Sequence, residues 1–130
     1  MSNKQASALS GAHVLLVEDQ ALIALDAEDY LRVRGAARVT IAATADAALR
    51  QVEVERPDVA VLDVNLGDHT SAPVADLLAS LGVPFIVASG HRDASALAES
   101  LRSAPIASKP YTEATLIAAI ETALARKGGR

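Results

Sequence analysis

An α/β fold built on a doubly wound, five-stranded parallel sheet with five helices is what this chain predicts, and three observations predict it. Short apolar runs alternate five times with helix-period segments along the 130 residues. The runs are apolar throughout instead of alternating, as strands covered on both faces are. The connections are short, and right-handed crossovers then place helices on both sides of the sheet. The expected strand order is 2-1-3-4-5, the flavodoxin-like arrangement.

Each element has its own warrant. Residues 1–12 read as a flexible lead-in and His13–Val17 as the first strand. From Ala21 to Val33, Ala21, Leu22, Ala24 and Leu25 recur at helical spacing against Asp26, Glu28 and Asp29, and Gly35 suits the C-terminal cap. Val39–Ala42 is a short second strand. Thr44 is placed to cap a helix from Ala45 to about Glu55, with Asp46 in its first turn and Pro57 ending it. Asp58–Leu62 is the third strand, and Asp63–Ser71 reads as irregular. Pro73 fits the first turn of a helix reaching Leu81. Val83–Ala88, a helix Asp93–Arg102 and Ile106–Ser108 follow. Thr112 then caps a last helix to about Lys127, with residues 128–130 as a tail. The domain is therefore expected over 13–127.

Composition removes several functions. Twelve basic residues against sixteen acidic give a net charge of −4, which lacks the basic footprint of a nucleic-acid binder. Phe85, Tyr30 and Tyr111 are the whole aromatic set, too few for base stacking. The absence of cysteine excludes disulfides and thiolate metal sites. Residues 1–10 lack the apolar middle of a signal peptide, and no apolar run approaches a bilayer-crossing length, so neither a membrane nor nucleic acid is an expected partner and the expected location is the cytoplasm.

Four strands end in a reactive polar group. Glu18 and Asp19 follow the first, Asp63 the third, Ser89 the fourth and Lys109 the fifth. Parallel strands point one way, so these groups converge on one rim, where open α/β sheets bind ligands. Three carboxylates gathered there need a cation, and carboxylate oxygens are the donors of Mg²⁺ or Mn²⁺. Ser89, His91 and Asp93 superficially suggest a nucleophilic triad, but neighbours in sequence seldom face one another and no oxyanion motif accompanies them. His13, His69 and His91 lack metal-ligand spacing and read as surface or loop residues.

The acidic pair, Asp63, Ser89 and the Lys109-Pro110 dipeptide, in this order and on these strands, resemble the receiver domain of two-component response regulators. The stretches Val64-Asn65-Leu66-Gly67 and Pro84-Phe85-Ile86-Val87-Ala88-Ser89-Gly90-His91 resemble a stand-alone subgroup common in alphaproteobacteria, which carries a Phe-x-x-Thr-Gly motif. The resemblance implies that Asp63 accepts a phosphoryl group from a sensor histidine kinase or a histidine phosphotransfer protein. It implies Mg²⁺ held by Asp19, Asp63 and the backbone carbonyl of Asn65, with Glu18 partly through water. It gives Lys109 a charge on the phosphoryl group, Ser89 a hydrogen bond to it, and Lys109-Pro110 a cis peptide bond. Asn65 and His91 would tune dephosphorylation.

The same resemblance places the signalling surface on the fourth helix, fifth strand and fifth helix, facing an unknown downstream protein. Ile106 departs from it, because an aromatic switch residue usually stands there. Leu66-Gly67 departs too, in place of Met-Pro. The expected protein is a regulator acting by contact and no enzyme beyond its own phosphorylation and dephosphorylation. A haloacid-dehalogenase-like phosphatase would need a second aspartate where Asn65 stands. An inert module would have no need of the whole set Glu18, Asp19, Asp63, Ser89 and Lys109.

Overall fold

The computed structural model describes residues 9–66, 69–89, 101 and 104–128. In chain order the elements are β1 (His13–Val17), α1 (Ala21–Val33), β2 (Arg38–Ala42), α2 (Ala45–Val54), β3 (Val59–Asp63), β4 (Asn65–Leu66), β5 (His69–Thr70), α3 (Ala72–Leu81), β6 (Phe85–Ser89), β7 (Ile106–Ser108) and α4 (Glu113–Gly128). Five strands form one parallel sheet in the order β2-β1-β3-β6-β7, the predicted 2-1-3-4-5.

Side-chain alternation along the central strands feeds two cores. Val14, Leu16, Val59 and Val61 pack with Ala24, Ala27 and Leu31 of α1 and Leu116 and Ile120 of α4. Leu15, Val17, Ala60 and Leu62 pack on the other face with Ala48 and Val52 of α2 and Val74 and Leu78 of α3. A strand apolar on both sides is the consequence. Leu101, helical and buried in the second core, is the described part of the predicted helix Asp93–Arg102, whose other residues lie outside the described set.

Local chemistry explains the helix ends. Thr44 Oγ1 accepts from the Ala47 N–H at 3.0 Å, the predicted cap of α2. Thr112 Oγ1 accepts from Thr115 N–H at 3.2 Å, while Thr115 Oγ1 accepts from Thr112 N–H at 2.9 Å, which fixes the start of α4. Gly35 N–H donates to Arg32 O and Ala36 N–H to Leu31 O, closing α1 in a Schellman motif with Gly35 at φ +103°.

Three expectations change. Leu22 and Leu25 are solvent-exposed, and the buried face of α1 is Ala24, Ala27 and Leu31, one step round the helix. Alanines let the helix lie close on the sheet, so the larger leucines go outward. Second, Asp63–Ser71 is not wholly irregular: β4 and β5 pair antiparallel, with Asn65 opposite Thr70 and Leu66 opposite His69. Third, His13 is no surface residue; its side chain is 12% exposed and its Nε2 lies 2.9 Å from Thr40 Oγ1.

The first core also reaches back past β1. Leu9 is fully buried, Ala12 N–H donates to Leu9 O, and Gly11 N–H donates to Gly35 O. No described helix is long and apolar enough to cross a membrane.

Candidate functional site

Strand register assembles the site. Val17 of β1 stands beside Leu62 of β3, so Glu18 and Asp63, each one residue further, reach the same level on neighbouring strands. Asp63 pairs with Ala88 of β6, and Ser89 pairs with Ser108 of β7. Ser89 therefore stands one step beyond Asp63 on the same rim, and Lys109 one step beyond Ser89. The Glu18 N–H donates to Ala42 O at 3.0 Å and the Lys109 N–H to Ser89 O at 3.0 Å. Both residues lie past their strands, yet each has its backbone tied to the sheet.

Glu18, Asp19 and Asp63 bring carboxylate oxygens within 4.8 Å of one another, the one such grouping among the described residues. Glu18 and Asp63 are buried and Asp19 is exposed. Lys109 Nζ lies 3.2 Å from Asp63 Oδ1 and 3.6 Å from Glu18 Oε1, with its side chain 21% exposed. Glu18 Oε2 accepts from the Gln20 N–H at 3.1 Å. Burial pushes the Glu18 carboxyl up to about 7, with the Asp63 charge adding to it; the Gln20 amide and the Lys109 ammonium pull the other way.

The hairpin orients a further oxygen. Ser71 N–H donates to Val64 O, so Val64 and Ser71 are a hydrogen-bonded pair. In an antiparallel ladder the next pair, Asn65 and Thr70, is then not hydrogen-bonded, and the Asn65 carbonyl points away from the partner strand. Val64 N–H donates to Ala88 O at 3.1 Å, which ties the hairpin base to β6 immediately before Ser89.

The set fits a hard divalent cation. Its donors are all oxygen, without His or Cys, and their spacing is near the roughly 4 Å span across an octahedral shell with bonds of about 2.1 Å. Ser89 is buried at the end of β6. The Lys109–Pro110 bond is cis, as the resemblance implied. Ile106 is 42% exposed, which suits a side chain outside the pocket. His91 lies outside the described residues, as does the side chain of Asn65.

Two residues escaped the sequence reading. Gln20 contributes through its backbone, which side-chain chemistry does not reveal. Tyr111 directly follows Lys109-Pro110 and is one of only three aromatic residues. Its place after the lysine was the available signal. With Ile23, Asp26, Tyr30, Lys109 and Pro110 it lines a cavity of about 120 Å³ between α1 and the β7–α4 connection. Burial, and then the negative charges of Glu18 and Asp63, push its phenol upward, so it stays neutral.

A parallel five-stranded sheet with acids, a hydroxyl and a lysine at its carboxyl edge defines a class of α/β domain with its candidate site at that edge. Residues 14–121 match the family described as response regulator receiver domain. The chain belongs to that family, and with it to two-component signalling. It is 32% identical over 116 residues to the transcriptional regulatory protein PdtaR of Mycobacterium tuberculosis, covering 87% of this chain and 57% of that protein. To the phyllosphere-induced regulator PhyR of Methylorubrum extorquens it is 29% identical over 126 residues, covering 95% of this chain and 47% of the relative. The chain thus spans about half the length of the curated relatives it matches. The solution structure of SdrG from Sphingomonas melonis Fr1 superposes with a TM-score of 0.75 at 39% identity, covering 91% of this chain and 98% of that one.

Proposed function

We propose that this protein is a response-regulator receiver that accepts a phosphoryl group on Asp63 and signals by protein–protein contact in the cytoplasm. The observation that carries the reading is the Lys109 ammonium set between Asp63 and Glu18 at the carboxyl edge of the sheet. An Asp63 oxygen attacks phosphorus, the bond to the donor's imidazole nitrogen breaks, and an acyl phosphate forms. Phosphoryl transfer asks mostly for alignment and charge neutralisation. Asp19, Asp63 and the Asn65 carbonyl would hold Mg²⁺ or Mn²⁺, with the Glu18 carboxylate beside them. Such an ion would supply positive charge to the phosphoryl oxygens. Lys109 adds a second, organic cation, and the Ser89 hydroxyl donates to the acyl phosphate.

The donor is a sensor histidine kinase or a histidine phosphotransfer protein, and the recipient of the signal is a further protein. The exposed Leu22 and Leu25 at the start of α1, beside Asp19, offer such a donor an apolar footing. The same groups would hydrolyse the protein's own acyl phosphate, with Asn65 and His91 setting the rate, and no other substrate is turned over. The test is labelling with a small acyl phosphate in the presence of Mg²⁺, followed by intact-protein mass. The wild type should gain one phosphoryl group and Asp63→Asn none; equal labelling of Asp63→Asn would defeat the assignment.

A further inference from the structure

Between the end of β7 at Ser108 and the capped start of α4 at Thr112, the chain has few points of attachment. Lys109 N–H is held by Ser89 O. Pro110 has no N–H to give and is exposed. Thr112 bonds to Thr115 and, through its carbonyl, to the Leu116 N–H, all within the first turn of α4. Among the described residues the remaining anchor is the ring of Tyr111, which packs against the core shared by α1 and α4. The Tyr111 hydroxyl is buried and finds no hydrogen-bond partner among the described residues, so the ring and not the oxygen holds this residue. Lys109 and Tyr111 also line the same cavity wall against Ile23 and Tyr30 of α1. A lysine side chain has about 2 kcal/mol of rotamer entropy, so its ammonium is placed well only if its backbone and stem are confined.

We propose that Tyr111 is a positioning residue for Lys109: its ring, packed on the α1–α4 core, fixes the backbone from which the ammonium reaches Asp63 and Glu18. The proposal goes beyond the phosphoacceptor reading and, in its labelling arm, rests on it. Removing the ring enlarges the cavity beside the lysine stem and frees the loop. Removing only the hydroxyl changes neither.

Tyr111→Phe, Tyr111→Ala, Lys109→Ala and the double variant Lys109→Ala/Tyr111→Ala are compared at a temperature where circular dichroism shows all of them folded. Tyr111→Leu replaces Tyr111→Ala if the latter does not fold. Labelling by a small acyl phosphate with Mg²⁺ should slow roughly tenfold or more in Tyr111→Ala and stay within about twofold of wild type in Tyr111→Phe. In the Lys109→Ala background the ring truncation should cause no further slowing, since the two act as a unit. A second readout needs no phosphorylation: the ¹⁵N resonance of the Lys109 ammonium. It should persist in Tyr111→Phe and move to the position of a solvent-exposed lysine in Tyr111→Ala.

An unchanged ammonium resonance in Tyr111→Ala overturns the proposal. So does equal slowing in both backgrounds, which is what a merely structural residue would give, or a Tyr111→Phe variant as slow as Tyr111→Ala. A wild type that is never labelled defeats the phosphoacceptor reading alone, and the resonance still decides the role of Tyr111.

Discussion

Lys109 Nζ lies 3.2 Å from Asp63 Oδ1, although 46 residues separate the two in sequence. Two buried carboxylates, Asp63 and Glu18, share this one ammonium. The lysine therefore plays opposite parts in two equilibria. It neutralises the acids of the metal-free protein, and it would repel a divalent cation that comes to the same oxygens.

Lys109→Met separates those parts. Without the ammonium the metal-free protein keeps uncompensated negative charge at the rim and should melt lower than wild type. A unit charge near a partly solvated site is worth on the order of 1 kcal/mol, so Mg²⁺ should bind roughly two- to tenfold more tightly. Labelling by a small acyl phosphate should nevertheless fall steeply, because the transferred group loses a cation. Calorimetric titration showing weaker Mg²⁺ binding in Lys109→Met would contradict this account.

The pH dependence of the metal-free protein has a definite sign. Burial raises the Glu18 carboxyl to about 7 in the fold, above its value in the unfolded chain. Between those two values the folded state binds more protons, so the Glu18 contribution to stability falls as pH rises through 7. With Mg²⁺ chelated, wild-type melting temperature should drop more between pH 5.5 and pH 8 than that of Glu18→Gln. Excess Mg²⁺ should remove the difference, because the ion favours the charged carboxylate. Parallel pH profiles for the two proteins would refute the assignment of the slope to Glu18.

Gly35 is the residue whose replacement should harm the fold away from the site. It sits at φ +103°, and a Cβ there would meet Ser10 Cα at 3.1 Å. Both the backbone conformation and the close approach exclude a side chain, so Gly35→Ala should cost about 1–3 kcal/mol. Urea unfolding should register the loss, while Mg²⁺ affinity at low denaturant stays at the wild-type value.

The legible part of the sequence was what strand ends and double-sided burial write into it. Val14 to Val17 and Val59 to Leu62 are apolar without alternation because helices cover both faces, and the polar residue that ends each run had to fall at the rim. Glu18, Asp63, Ser89 and Lys109 could be placed on that argument before any coordinates. The face of α1 could not. Leu22 and Leu25 satisfy helical spacing as well as Ala24 and Leu31 do, and only the angle at which the chain leaves β1 decides which set turns inward. The β4–β5 hairpin was hidden because two-residue strands have too little pattern to show a period. Leu9 was missed because a single apolar residue in a polar stretch carries no periodicity. Tyr111 was passed over because its role comes from what its ring packs against, which the sequence does not state.

The Leu9 and Gly11 anchorage has a practical side. These residues close onto Gly35 at the end of β1 where His13 begins, while the carboxylates stand at the other end, five residues along the strand. At about 3.3 Å per residue, that is roughly 16 Å of sheet. A fluorophore attached at Ser10, which is exposed, would ride on an ordered part of the molecule without crowding the ion or an incoming donor. Docking partners could then be tracked by anisotropy with the chemistry at Asp63 left untouched.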